Sequence, residues 1–140
     1  MSTQTKTIIQ ILVAGFGISF AFYDLRPAAW TLSNIVGLVL LISGFVLWVT
    51  ARVQLGNSFS VSARATELVT HGLYARMRNP VYVFGLFIIS GFILAIGKPV
   101  GLLVLLVIVP IQVKRAHTEA QVLEDKFGDA YREYRRKTWF

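Results

Sequence analysis

A chain of 140 residues that is 55% apolar, only 15% charged and carries a net charge of +7 does not have the composition of a soluble domain. The charges are clustered rather than spread, which leaves an integral membrane protein as the expected class. Cysteine is absent, which excludes a disulfide framework, a thiolate metal site and covalent cysteine catalysis.

Charge-free windows run over residues 7–23, 27–51, 79–97 and 99–113, and a spanning helix needs about 20 apolar residues. The simplest reading is all-α: one polytopic membrane domain over 1–140, with four transmembrane helices at roughly 7–23, 29–51, 80–97 and 99–114. The first window lacks an Ala-x-Ala-like cleavage site and runs into Asp24, Arg26 and Pro27, so it reads as a retained span. In the second, Gly37, Gly44 and Ala51 recur every seven residues and make a narrow face that another helix can approach. Residues 52–79 form a loop of 28 residues, long for so compact a chain. Its Leu55, Phe59, Val61, Leu68, Val69, Leu73, Tyr74 and Met77 predict that it lies on the bilayer or folds back on the helices. It ends in Asn79-Pro80, a good N-cap before a good first helical residue. Gly97-Lys98-Pro99 breaks the chain between the last two spans, which are expected to form a helical hairpin, with a re-entrant hairpin as the alternative. In the tail, 115–140, Ala116, Ala120, Leu123, Phe127, Tyr131 and Tyr134 fall at steps of three and four and predict an amphipathic helix broken or bent at Gly128. Its basic end, Arg135, Arg136 and Lys137 with Trp139 and Phe140, suits an anionic membrane surface.

With four spans, twelve of the fourteen Lys and Arg residues fall on one side, leaving only Arg26 and Lys98 on the other. This bias places both termini, the long loop and the tail in the cytoplasm. It also accounts for the positive charge without a nucleic-acid partner. Small size and the lack of a sorting signal point to a prokaryotic inner membrane. Oligomeric state is not legible.

A helix starting at Pro80 presents free N–H groups and a positive dipole end, with Arg78 just outside it, which is a place for an anion. His71, Tyr74, Asn79 and Tyr82 border it, and the tail can bring Glu119, Glu124 and Tyr131 nearby. An anion site beside a carboxylate fits a zwitterionic ligand. Each residue also has a purely structural reading: Asn79-Pro80 as a cap, Tyr74 and Tyr82 as an interfacial aromatic belt, Arg76 and Arg78 as topology signals. Glu119 has Arg115 at the i, i+4 distance, and His71 reads equally well as a surface residue.

The arrangement says more than the single residues. The run Leu68-Val69-Thr70-His71-Gly72-Leu73-Tyr74, then Arg78-Asn79-Pro80-Val81-Tyr82, resembles the cofactor-binding signature of the isoprenylcysteine carboxyl methyltransferase and phospholipid methyltransferase superfamily. So does the tail, from Arg115 through Glu119, Leu123, Phe127-Gly128, Tyr131 and Tyr134, and more weakly Leu55-Gly56-Asn57 to Ser60. The resemblance implies an integral membrane enzyme that binds S-adenosyl-L-methionine at the cytoplasmic face, between the Arg-x-Pro loop and the tail. A lipophilic or amphiphilic methyl acceptor would enter from the bilayer. Carried over by motif position, His71, Gly72, Tyr74, Arg78, Asn79, Pro80, Tyr82 and Glu119 are the cofactor-binding residues, with Arg78 and Glu119 the candidates for a catalytic part and no metal. Two positions depart from the pattern. The usual Arg-His-Pro is Arg78-Asn79-Pro80, which removes a titratable group, and the commoner Glu-Glu pair is Glu119-Ala120. A non-catalytic membrane scaffold is the principal alternative; a reductase and a transporter rank behind it, the latter because no span interior carries an ionisable residue.

Overall fold

The computed structural model describes Gly15 and residues 30–56 and 68–140; the expected first span and the Asn57 to Ser60 part of the weaker motif lie outside these. Among the described residues the fold is helical throughout: α1 (Leu32–Leu55), α2 (Pro80–Ala95), α3 (Leu105–Phe127) and α4 (Asp129–Lys137). Two short 3-10 segments, Gly72–Ala75 and Pro99–Val104, precede α2 and α3. An isolated parallel bridge joins Met77 to Trp139.

Helix α1 begins in a capping box. The amide of Asn34 donates to Thr31 Oγ1 at 3.3 Å, and the amide of Thr31 donates to Asn34 Oδ1 at 2.9 Å, so two of the donors a helix start leaves open are matched locally. The helix outlasts its apolar run by one turn, carrying Arg52 and Gln54 before it ends at Gly56. The long loop therefore starts four residues later than hydropathy placed it, because a change from apolar to polar side chains does not break main-chain hydrogen bonding.

The tight packing in the molecule is between α1 and α2, which run antiparallel. A Cβ at Gly37 would lie 2.3 Å from the Ala95 nitrogen, one at Gly44 2.8 Å from Phe87 Cβ, and one at Gly91 2.4 Å from the Leu41 nitrogen. The spacing of Gly37, Gly44 and Ala51 thus marks a real contact stripe, and Gly91 completes it from the facing helix. Asn34 Nδ2 donates to the Ala95 carbonyl at 2.8 Å, tying the start of α1 to the end of α2. At the opposite end Ala51 and Phe84 are buried together with Tyr74 and Met77, so the described end of the loop, from residue 68, folds back on the helices; Phe59 and Val61 lie outside the described residues.

Helix α2 closes in a Schellman turn, with Gly97 at φ +69 and the amides of Gly97 and Lys98 donating to the Leu94 and Ile93 carbonyls at 3.0 and 3.2 Å. The chain then returns alongside α2. Gly101 meets Ile93 near the turn, and Tyr82 meets Glu119 at the far end, so the two arms form an antiparallel hairpin. Its second arm has no boundary between span and tail: α3 continues through Lys114 and Arg115 to Phe127 without interruption. The separate tail helix expected to begin near residue 115 is instead the polar half of α3, followed by α4 after Gly128.

Two of these helical stretches are long and apolar enough to cross a membrane, Leu32–Leu55 with mean hydropathy 2.3 and Pro99–Phe127 with 1.8; Pro80–Ala95 is apolar but shorter. Only 17% and 6% of the two long windows is buried. The core helix of a soluble protein would be mostly covered; these present apolar faces outward, as lipid-facing helices do.

Candidate functional site

The residues singled out by the sequence converge where the loop, the start of α2 and the tail meet. Gly72 opens the first 3-10 turn in the left-handed region at φ +61. That turn buries Tyr74, while His71 stays exposed at its head and makes no side-chain cap hydrogen bond. Tyr74 is packed against Ala51, Met77 and Phe84, so the tyrosine expected at an interface is part of the core.

Two side-chain hydrogen bonds fasten the tail to this loop. Tyr82 Oη donates to Glu119 Oε1, linking the first turn of α2 to the middle of α3. Glu119 therefore faces the loop motif, and among the described residues it forms no ion pair with Arg115. Tyr134 Oη donates to the Tyr74 carbonyl at 2.7 Å. Tyr131 is fully buried beside Tyr134, their ring centroids 6.1 Å apart. Burial, reinforced by neighbouring Tyr131, pushes the Tyr134 phenol up to about 12, and Arg78 nearby works against that rise. Burial raises the Tyr74 phenol further, with Tyr134, Glu119 and Tyr82 also disfavouring its anion and Arg52 favouring it. Both hydroxyls are therefore neutral at ordinary pH.

The main chain supplies a third fastening, which the sequence did not announce. The Trp139 amide donates to the Arg76 carbonyl at 3.0 Å, and the Phe140 carbonyl accepts from the amides of Arg78 at 2.9 Å and Asn79 at 3.2 Å. One donor expected to be open for an anion, the Asn79 amide, is thus engaged by the tail. Asn79 occupies the N-cap position, but its side chain makes no cap hydrogen bond; its carbonyl instead accepts from the amides of Tyr82 and Val83. Pro80 follows as a fully buried first helical residue. The Arg78 side chain also offers a donor, its buried Nε having no hydrogen-bond partner among the described residues.

Other candidates are drawn elsewhere. Glu124 accepts from Arg132 Nε at 2.9 Å and lies 3.7 Å from Arg135, so it serves α4. The open depression lined by Glu124, Arg132, Arg135 and Arg136 includes none of the motif residues. Arg52, read from the sequence only as a topology signal, is 6% exposed, its guanidinium 5.5 Å from the Trp48 ring centre. No group of three or more potential metal ligands occurs among the described residues.

This geometry coincides with sequence kinship. Over 95 residues the chain is 41% identical to the protein-S-isoprenylcysteine O-methyltransferase of Schizosaccharomyces pombe, an alignment covering 63% of this chain. The chain spans 40% of that relative's length. The phospholipid methyltransferase family model matches residues 32–130, from the start of α1 to the start of α4, which takes in the loop motif, the hairpin and the tail motif as far as Gly128 but not Tyr131 or Tyr134. The chain belongs to the phospholipid methyltransferase family.

Proposed function

We propose that this protein transfers a methyl group from S-adenosyl-L-methionine to a lipophilic or amphiphilic acceptor at the cytoplasmic face of a membrane. The observation that carries the reading is the Tyr82–Glu119 hydrogen bond, which brings the loop motif and the tail's acidic position together across 37 residues. Family membership and the relative's name supply the reaction class.

The residues present fit the cofactor's amino-acid end. Arg78 offers a buried guanidinium N–H that lacks an acceptor, matched to a carboxylate, and Glu119 offers a carboxylate matched to an ammonium. Asn79 and His71 lie at the edge of the same loop, Gly72 and Pro80 shape it, buried Tyr74 anchors it, and Tyr82 provides an aromatic wall. When bound, the cofactor supplies an electrophilic methyl on a sulfonium. The protein's part is then to hold two reactants in line and keep water out, and that positioning is worth far more than an acid or base for a thiolate or carboxylate acceptor. The absence of histidine at position 79 agrees with a site built for positioning.

Calorimetric titration of S-adenosylmethionine and S-adenosylhomocysteine into the purified protein tests this. The wild type is expected to bind both, and Arg78→Ala or Glu119→Ala to weaken binding about tenfold or more, the scale of a lost charge-assisted hydrogen bond. Failure of the folded wild type to bind either compound would overturn the reading in favour of a non-catalytic scaffold.

A further inference from the structure

Gln54 lies outside both halves of the motif, in the last turn of α1, yet its side chain is the point on which the Gly72 turn rests. Its Oε1 accepts from the Leu73 amide at 2.8 Å. Its amide group fills the space a side chain at residue 72 would need: a Cβ there would lie 2.4 Å from Oε1 and 2.5 Å from both Cδ and Nε2. Glycine at 72 is favoured by its left-handed φ of +61, and a side chain there would also push the end of Gln54 from its seat.

The support beneath Gln54 is well packed. It stands one turn beyond Ala51, which is fully buried against the Tyr74 and Phe84 cluster, and two residues after buried Arg52, stacked on Trp48. From the Leu73 amide the connection continues along the main chain to Tyr74, whose carbonyl accepts from Tyr134. One helix end therefore holds the turn from below while the tail holds it from the other side.

We propose that Gln54 is a positioning residue for the cofactor loop: by occupying the Gly72 seat and holding the Leu73 amide, it fixes the turn that carries His71 and Tyr74 and so sets cofactor affinity. The inference rests on the cofactor reading above. Loops that contribute to a site bind tightly when their conformation is fixed before the ligand arrives. Gln54 touches no reacting atom and acts only through the turn.

Three variants decide it, read by S-adenosylhomocysteine calorimetry and by hydrogen exchange at the Leu73 amide in the detergent-solubilised full chain. Gln54→Leu keeps the bulk but removes the acceptor; it is expected to weaken binding about tenfold and speed exchange at Leu73. Gln54→Glu retains an acceptor oxygen at the same reach and is expected to stay within about twofold of wild type. Gly72→Ala forces the Gln54 side chain from its seat, so combining it with Gln54→Ala is expected to cost less than the two single losses together. Wild-type affinity in Gln54→Leu would overturn the proposal and leave the cofactor reading standing. So would equal losses in Gln54→Leu and Gln54→Glu, which would show that the acceptor oxygen held by Leu73 is not what sets affinity. Failure of the wild type itself to bind would instead overturn the cofactor reading, and the role of Gln54 with it.

Discussion

Tyr134 condenses the chemistry of the site into one group: a buried phenol whose proton is given to the Tyr74 carbonyl and which resists ionisation up to about 12. An unfolded tyrosine titrates near pH ~10, so between that value and the folded one the native state holds a proton that the unfolded chain has released. The stability this contributes is complete below the unfolded value and is lost as pH rises through the folded one. Thermal unfolding in detergent should accordingly show the midpoint falling on the alkaline side above pH ~10. Tyr134→Phe should be less stable at neutral pH by about 1 kcal/mol, the net worth of one hydrogen bond, and should fall less steeply with alkali. A variant curve parallel to wild type would show that another group governs the alkaline limb. At this scale the motif named Tyr82, Arg78 and Glu119 but said nothing of their geometry. Nothing in the sequence pairs Tyr82 with Glu119 rather than Glu119 with Arg115, since local helix spacing favours the latter and only the tertiary fold brings up the former. Asn79 has the composition of a side-chain cap and does not act as one: the Tyr82 amide that its side chain would take donates instead to the Asn79 carbonyl. Gln54 gives no signal, being one polar residue after an apolar run.

At the scale of elements, the α1–α2 interface shows where spacing speaks and where it is silent. Gly37, Gly44 and Ala51 stand out because they recur on one face of a helix otherwise built of large residues. Helix α2 is apolar nearly all round, so its two glycines, Gly85 and Gly91, look alike from the sequence. The structure separates them: a Cβ at Gly91 would strike the α1 backbone 2.4 Å from the Leu41 nitrogen, whereas one at Gly85 meets nothing within 4 Å. Gly91→Ala should therefore force the helices apart and destabilise the protein by about 1–3 kcal/mol, the usual cost of overpacking. Gly85→Ala should be neutral or stabilising by up to about 1 kcal/mol, from helix propensity alone. Unfolding of the two variants in a graded detergent series would compare them directly, and equal effects would mean that the helix contact is not the determinant. The end of α3 was illegible for a different reason. Lys114 and Arg115 mark where apolar sequence stops, but neither disfavours helix, so the hydrogen-bonded helix passes through them to Phe127.

For the whole molecule, the hydrogen bonds themselves constrain which parts share a side of the membrane. Tyr82 to Glu119, Tyr134 to Tyr74, and the Arg76 to Asn79 main chain to Trp139 and Phe140 hold the loop and the tail together at one end of the helices. Asn34 to Ala95 and the Schellman turn at Gly97 and Lys98 hold the other end. The described basic residues divide along the same line, with Lys98 at the turn and Arg76, Arg78, Lys114, Arg115, Lys126 and the α4 cluster at the loop end. If the positive-inside bias governs insertion, the turn faces away from the cytoplasm and the site faces it, where a soluble cofactor is supplied. The chain's lack of cysteine makes this directly measurable, since any introduced cysteine is the only thiol. Lys98→Cys and Gln121→Cys both replace exposed residues, one at the turn and one on the polar half of α3. A membrane-impermeant maleimide applied to intact cells should label Lys98→Cys at once and Gln121→Cys only after permeabilisation, and inverted vesicles should reverse the order. Labelling of Gln121→Cys in intact cells would put the loop and tail outside and remove the cytoplasmic cofactor supply on which the proposed reaction depends. Labelling of both from the same face would mean that the hairpin does not cross the bilayer, returning the re-entrant arrangement as the architecture.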